Sequence, residues 1–205
     1  MSVYVQLDGA DGCGKSSQAQ ALVEWLRAQG RETLHVREPG STPVGEALRN
    51  LLLAPATGHL QPVTEALLFS AARAELVAQQ VAPALARGGV VVAERGYLST
   101  LVYQALATSP GLPTDWVFDV TRAVHGACLP DAVFVLDVGA DVALARRAAR
   151  ASDRIEARPA NYHARVREGY RRAAALDPRA HLLDASRPFD AVQQDLRAAL
   201  TRLLA

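Results

Sequence analysis

Lysine is almost missing from this chain. Lys15 is the single lysine among 22 basic residues, and arginine fills every other cationic position. Cysteine is nearly as scarce: Cys13 and Cys128 are too few for a disulfide framework, and no charged-then-apolar segment stands at the start, so a reducing, cytoplasmic setting is expected. Long apolar runs are absent too. The alanine-rich stretches are broken by Arg, Glu or Gln before they approach the roughly 20 residues of a bilayer span, which argues for a soluble chain without a membrane partner. Nor is one charge in excess: 22 basic residues face 21 acidic ones, a net +1, so no global field draws the protein to nucleic acid and any cationic site has to be local.

What is present suffices for one core. With 205 residues, 50% of them hydrophobic, a single domain over 1–205 is expected. Short apolar runs at Val3 to Leu7, Thr33 to Val36, Val90 to Ala93 and Ala132 to Leu136, and a last one beginning at Leu182-Leu183, read as strands. Between them the spacing predicts helices: one after Lys15 with Ala19, Leu22, Val23 and Leu26 on one face and Gly30 ending it, then Val44 to Leu53, and a long one from Pro62 towards Leu85. Further helical patterns cover Trp116 to Val124, Val142 to Ala149, Tyr162 to Ala175 and Ala191 to Leu204. Such alternation builds an α/β fold, a parallel sheet flanked by helices, whose ligand lies beyond the strand ends at Asp8, Arg37, Glu94 and Asp137. Flexible connections are expected after Ala54 and around Thr108 to Pro113.

The segment Gly9-Ala10-Asp11-Gly12-Cys13-Gly14-Lys15-Ser16 is a complete phosphate-binding loop, set between the first strand and the first helix. Its small residues let backbone N–H groups face a polyphosphate, and the helix that follows adds positive potential. Lys15 can then reach the β- and γ-phosphates, Ser16 can ligate a bridging Mg²⁺, and Ser17 can assist at the α-phosphate. The alternative, a glycine-rich turn that merely caps a helix, does not explain why the one retained ammonium stands where a compact, flexible charge is required. A GTPase is excluded because its guanine-reading Asn-Lys-x-Asp motif needs a second lysine. Cys13 has two readings, a thiol activated at a helix start or a tolerated small residue.

Further along stand Arg37-Glu38-Pro39-Gly40, Glu94-Arg95, Tyr103-Gln104, Asp153-Arg154-Ile155-Glu156 and Asp184-Ala185-x-x-Pro188. Together with the loop, in this order and over nearly the whole chain, they resemble the bacterial thymidylate kinases. That resemblance implies a three-layer P-loop nucleoside monophosphate kinase fold with a five-stranded parallel sheet. It implies ATP-dependent phosphorylation of dTMP to dTDP in dTTP synthesis, with Mg²⁺, in a homodimer packed through helices beside the sheet. ATP would lie on Gly9, Ala10, Asp11, Gly12, Cys13, Gly14, Lys15, Ser16 and Ser17, and Ser16 and Glu94 would take the metal, although Glu94 could equally pair with Arg95. Arg95 and Arg49 would clamp the acceptor phosphate, Phe69 would stack on thymine, Arg73 would bond its O4, and Thr100 and Gln104 would read the remaining edge. Asp11 and Tyr103 would hold and crowd the sugar, and Glu38 would belong to the same acceptor set. For Phe69 a plain core aromatic is the competing reading.

By the same resemblance the arginine-dense stretch would form a lid near 146–158, with Arg146, Arg147, Arg150, Arg154 and Arg158, of which Arg150 and Arg154 would join Lys15 and Arg95 in catalysis; Cys13, where some family members carry a basic residue, fits the variant with lid arginines. Arg165, Arg167, Arg171 and Arg172 read better as a solvated helix face. The chain departs from the family's usual wording at Glu94 for Asp, Gly96 for an aromatic or His, Ser41 for a second Gly, and Ala105 where Gly is common, so the metal ligand and the acceptor pocket are both touched. A kinase for dUMP, dCMP or a modified pyrimidine nucleotide, and a P-loop ATP-binding protein that is regulatory or binds nucleic acid without an acceptor, are the other functions compatible with these residues.

Overall fold

Consecutive β-branched and apolar residues need cover on both faces, and a strand made of them has to lie inside a sheet. A computed structural model describes residues 1–147 and 153–205 and shows this arrangement. Strands β1 (Val3–Asp8), β2 (Thr33–Arg37), β3 (Val90–Glu94), β4 (Ala132–Asp137) and β5 (Ala180–Asp184) form one parallel sheet in the order β2-β3-β1-β4-β5. Every residue of the central β1 is buried, whereas β5 is an edge strand with exposed positions.

One face is covered by α1 (Lys15–Ala28) and α9 (Phe189–Leu203), whose Leu22, Val23, Leu26, Val192, Leu196 and Leu200 pack on Val5, Leu7 and Phe134. The other carries α2 (Pro43–Leu53), α3 (Pro62–Leu76), α5 (Tyr97–Thr100), α6 (Thr114–His125) and α8 (Ala160–Leu176), with α7 (Ala140–Arg147) after β4. Thr42 caps α2, its hydroxyl accepting from the Gly45 N–H at 2.9 Å, and Pro43 stands at the first helical position.

Two elements differ from the sequence pattern. The helix from Pro62 continues past Leu76 through a π-helical turn, Val77–Val81, into α4 (Ala82–Ala86). Pro83 has no N–H to give the preceding turn and its ring crowds that turn's carbonyl, so the ladder widens there. The second is α5, which the pattern did not reveal. It runs on as a π-helical turn, Leu101–Leu106, and this wider turn carries Tyr103 and Gln104. The reading of Val142 to Ala149 as helix is met from Ala140 to Arg147; Ala149 lies outside the described residues. Among the described residues no helix is long and apolar enough to cross a membrane.

Under the second layer lies a buried histidine with a measurable consequence. His125, at the end of α6, is 2% exposed, has Nδ1 at 2.9 Å from the Thr121 carbonyl, and meets the Tyr97 ring edge-on at 5.9 Å. Burial, and then the nearby Arg73, pull its pKa from 6.5 down to about 4. Below pH 6.5 the unfolded chain takes up a proton that the folded state refuses. Stability should therefore fall as the pH drops from 6.5 to 4, by up to about 3 kcal/mol from this group. Urea titrations at pH 7 and pH 5 should show the loss in the native chain and a smaller one in His125→Gln; equal slopes would contradict the assignment.

Candidate active site

The phosphate loop is shaped by approaches that exclude side chains. Gly9 has φ +138°, and a Cβ there would stand 2.5 Å from the Leu136 carbonyl oxygen; at Gly12, with φ +85°, it would stand 2.5 Å from that of Ala143. The loop is thus pressed between β4 and α7, and Gly14, left-handed at φ +97°, turns the chain into α1. Lys15 folds back across the loop: its Nζ donates to the Gly9 and Ala10 carbonyls at 2.9 Å each and lies 3.5 Å from Cys13 Sγ.

The ends of β1, β2 and β3 open into a cavity of about 730 Å³. Asp11, Gly12, Gly14, Lys15, Ser16 and Ser17 form its loop side, while Gly9, Ala10 and Cys13 stand behind them. At the base of this side the Ser16 hydroxyl donates to Glu94 Oε2, and His35 Nε2 on β2 lies 2.9 Å from Glu94 Oε1, with no other partner for that ring nitrogen. Here the longer side chain of Glu94 has a visible use, because it reaches from β3 to both the neighbouring strand and the loop. Burial would push its carboxyl up, but the hydrogen bonds from His35 and Ser16 outweigh it and hold the group below the usual carboxylate range. The pairing with Arg95 that the sequence left open is not made.

Arg95 instead turns towards the loop. Its backbone is left-handed, φ +68°, and its N–H donates to the Leu7 carbonyl at 2.8 Å, which pins a conformation that a non-glycine residue adopts only under constraint. The guanidinium bonds Asp11, donates to Ser99 Oγ at 3.2 Å and Tyr170 hydroxyl at 3.4 Å, and stands 5.7 Å from the Tyr103 ring centre. Behind it the fully buried Asp8 accepts from the Ser99 hydroxyl and the Tyr170 hydroxyl at 2.7 Å each. Ser99 and Tyr170 were not singled out in the sequence; Tyr170 sits at an ordinary core position of α8, and no local signal marks it.

The far wall comes from α2, α3 and α5. Phe69, half-buried, lines the cavity, so it is not solely a core aromatic. Arg73 is 3% exposed, its Nε donates to Glu38 Oε2 at 2.5 Å, and its Nη2 donates to Thr100 Oγ1 at 3.3 Å. Burial raises the Glu38 pKa, with Arg73 opposing the rise. Arg49, half-buried, donates to the Pro39 carbonyl at 3.0 Å, and Tyr103 and Gln104 complete the wall.

The arginines expected in a lid divide. Arg146 lines the cavity on the loop side with Nη1 3.5 Å from the Gly12 carbonyl. Arg154, expected at the transferred phosphoryl group, faces elsewhere: its Nε donates to the Leu52 carbonyl at 2.7 Å and its Nη1 to that of Gly58 at 3.2 Å, and it pairs with Glu65 at 2.7 Å. The end of α2 leaves carbonyls without intrahelical partners and carries the negative end of the helix dipole, which attracts the guanidinium there. Arg158 also pairs with Glu65, at 2.8 Å. Arg150 lies outside the described residues. On α8, Arg171 reaches Asp137 at 2.9 Å and Arg165 donates to the Ala107 carbonyl at 2.8 Å, so this face is only partly a free solvated one.

A phosphate loop on one side of a cavity and a fixed arginine with a base-sized polar wall on the other define a phosphotransferase of the nucleoside monophosphate kinase class. The family model described as thymidylate kinase matches residues 7–196. Thymidylate kinase from Symbiobacterium thermophilum is 43% identical over 205 residues, covering 100% of this chain and 95% of that protein. That of Chlamydia caviae is 37% identical, covering 98% of each. The solved thymidylate kinase structure from Ehrlichia chaffeensis superposes with a TM-score of 0.78 at 26% identity, covering 98% of both chains. The chain belongs to the thymidylate kinase family, an enzyme family that uses ATP as phosphate donor.

Proposed function

We propose that this enzyme transfers the γ-phosphoryl group of ATP to dTMP, giving dTDP for dTTP synthesis. The observation that carries the reading is the single cavity joining the Lys15 loop to the wall of Arg95, Arg73, Phe69 and Gln104. The donor phosphates would lie on the loop N–H groups, and a second hollow of about 240 Å³ beside it, with Cys13, Gln18, Arg187 and Phe189 in its lining, leaves room for the donor's base. Lys15 would neutralise the γ-phosphoryl oxygens and the β–γ bridge oxygen, on which negative charge gathers as that bond to phosphorus breaks. Arg95 would hold the acceptor phosphate in line with it. Asp11 and Tyr103 would meet the sugar, and Phe69, Arg73, Thr100 and Gln104 the base. In-line transfer needs positioning more than a strong base, so no covalent enzyme intermediate is required.

Ser16 and Glu94 supply a hydroxyl and a carboxylate, the hard oxygen donors that Mg²⁺ takes when phosphates complete its shell. When bound, Mg²⁺ would neutralise charge on the β- and γ-phosphates. On the described lid, Arg146 is the arginine beside the loop, and Arg150 remains a proposed partner.

We read 1–205 as one kinase domain with a lid near 146–158, in a homodimer. Val44 and Leu51 on α2 and Val63 and Leu67 on α3 are each more than two-fifths exposed, an apolar face suited to a second copy; a monomer in sedimentation at micromolar concentration would refute this. Two cysteines without a disulfide fit a cytoplasmic enzyme.

An ADP-release assay with ATP across dTMP, dUMP, dCMP and purine monophosphates tests the function. dTMP should give the highest kcat/KM. Equal turnover of all pyrimidines would replace dTMP by a broader acceptor, and ATP binding with no acceptor-dependent turnover would leave only a nucleotide-binding protein.

A further inference from the structure

Glu65 is a charged side chain with 1% exposure, placed on α3 one turn before Phe69. Its Oε1 receives Arg154 at 2.7 Å and Arg158 at 2.8 Å, and its Oε2 receives Gln104 Nε2 at 3.0 Å. A buried carboxylate costs several kcal/mol in lost hydration, and here two guanidinium groups from one distant segment and an amide from another compensate it. The contact with Gln104 has a chemical consequence. A side-chain amide has one donor end and one acceptor end, and an ionised carboxylate can only accept. Gln104 must therefore turn its NH₂ towards Glu65. Its Oε1 is left buried, without a partner, on a residue that lines the acceptor cavity. Beside it in the same wall stands Arg73, which has donors only. The wall so presents an acceptor next to a donor.

That order matches one type of pyrimidine edge. Thymine and uracil carry an N–H at ring position 3 beside a carbonyl oxygen. Cytosine carries a lone pair beside an amino group, so Gln104 Oε1 would face a lone pair and Arg73 an N–H. We infer that Glu65 is a positioning residue: by fixing the orientation of the Gln104 amide it selects keto over amino pyrimidines, and through Arg154 and Arg158 it ties that choice to the C-terminal end of the lid segment. The inference rests on the reading of Gln104 as a contact to the acceptor base.

The test is the ratio of kcat/KM for dTMP to that for dCMP, with dissociation constants for both nucleotides measured by calorimetry without ATP. In Glu65→Gln the partner can accept or donate, the Gln104 amide can flip, and the ratio should fall at least about tenfold, through weaker dTMP and stronger dCMP binding. Arg158→Met removes a cation from the same cluster but keeps the carboxylate; it should lower Tm and keep the ratio. If Glu65→Gln does not fold, Glu65→Gln with Arg158→Met restores the net charge of the cluster and should show the same fall. A ratio within twofold of wild type in either Glu65 variant would make Glu65 a structural anchor only and overturn the inference. A wild type with no preference for dTMP over dCMP, or a Gln104→Leu variant with an unchanged ratio, would instead remove Gln104 from the base site, a separate failure.

Discussion

Lys15→Met should abolish phosphoryl transfer while leaving a folded protein that still binds dTMP. Lys15 is 8% exposed, and its aliphatic stem is packed in the loop, so methionine can fill the same channel. The Gly9 and Ala10 carbonyls lose a donor, a loss of about 1–3 kcal/mol at most because the loop mouth is open to water. The loss in rate is larger. A cation placed at charge that develops on the transferred group contributes about 10³-fold or more, and the chain has no other lysine that could substitute. Single-turnover transfer should therefore drop by about that factor, with calorimetric dTMP affinity within about threefold of wild type. A kcat within tenfold of wild type would mean that the loop is not where the donor reacts.

Arg95→Ala should have an effect of similar size on kcat/KM but should reach it by another route. The guanidinium pairs with Asp11 and lies 4.0 Å from the buried Asp8. Its removal withdraws that positive charge from both carboxylates, so a destabilisation of about 1–3 kcal/mol accompanies the loss of the acceptor clamp. Calorimetric dTMP affinity should fall strongly and ATP affinity little, the reverse of Lys15→Met. Arg95→Lys separates charge from shape: it restores part of the stability, but one ammonium cannot span Asp11, Ser99 and a phosphate together, so turnover should remain low. Unchanged dTMP turnover in Arg95→Ala would remove this residue from the acceptor site.

Much of the fold is legible in the chain because the signals are local. Val90-Val91-Val92-Ala93 can hardly be other than a strand covered on both faces, and Gly30 stops α1 with the positive φ that its type allows. α5 leaves no helical signature in the sequence because it is short and widens after Thr100, which shifts the apolar spacing away from the helical period. The site divides in the same way. Gly9 to Ser17 stands in one stretch, and its spacing is its function. Arg154 illustrates the opposite case, since its letter and its motif are the same whether the guanidinium meets a phosphate or the end of α2.

What the sequence by itself determined is the kind of chemistry: a polyphosphate loop with the chain's one ammonium, the order of motifs that marks the family, and the strands that bring four polar ends to one edge. Only the tertiary structure decided how those groups are held. Tyr170 reaches Asp8 across 162 residues of chain, Arg158 reaches Glu65 across 93, and His35 meets Glu94 between neighbouring strands. No periodicity records such pairs, because a hydrogen bond between distant segments depends on where the packed elements bring two side chains, and the residue letters alone leave that open.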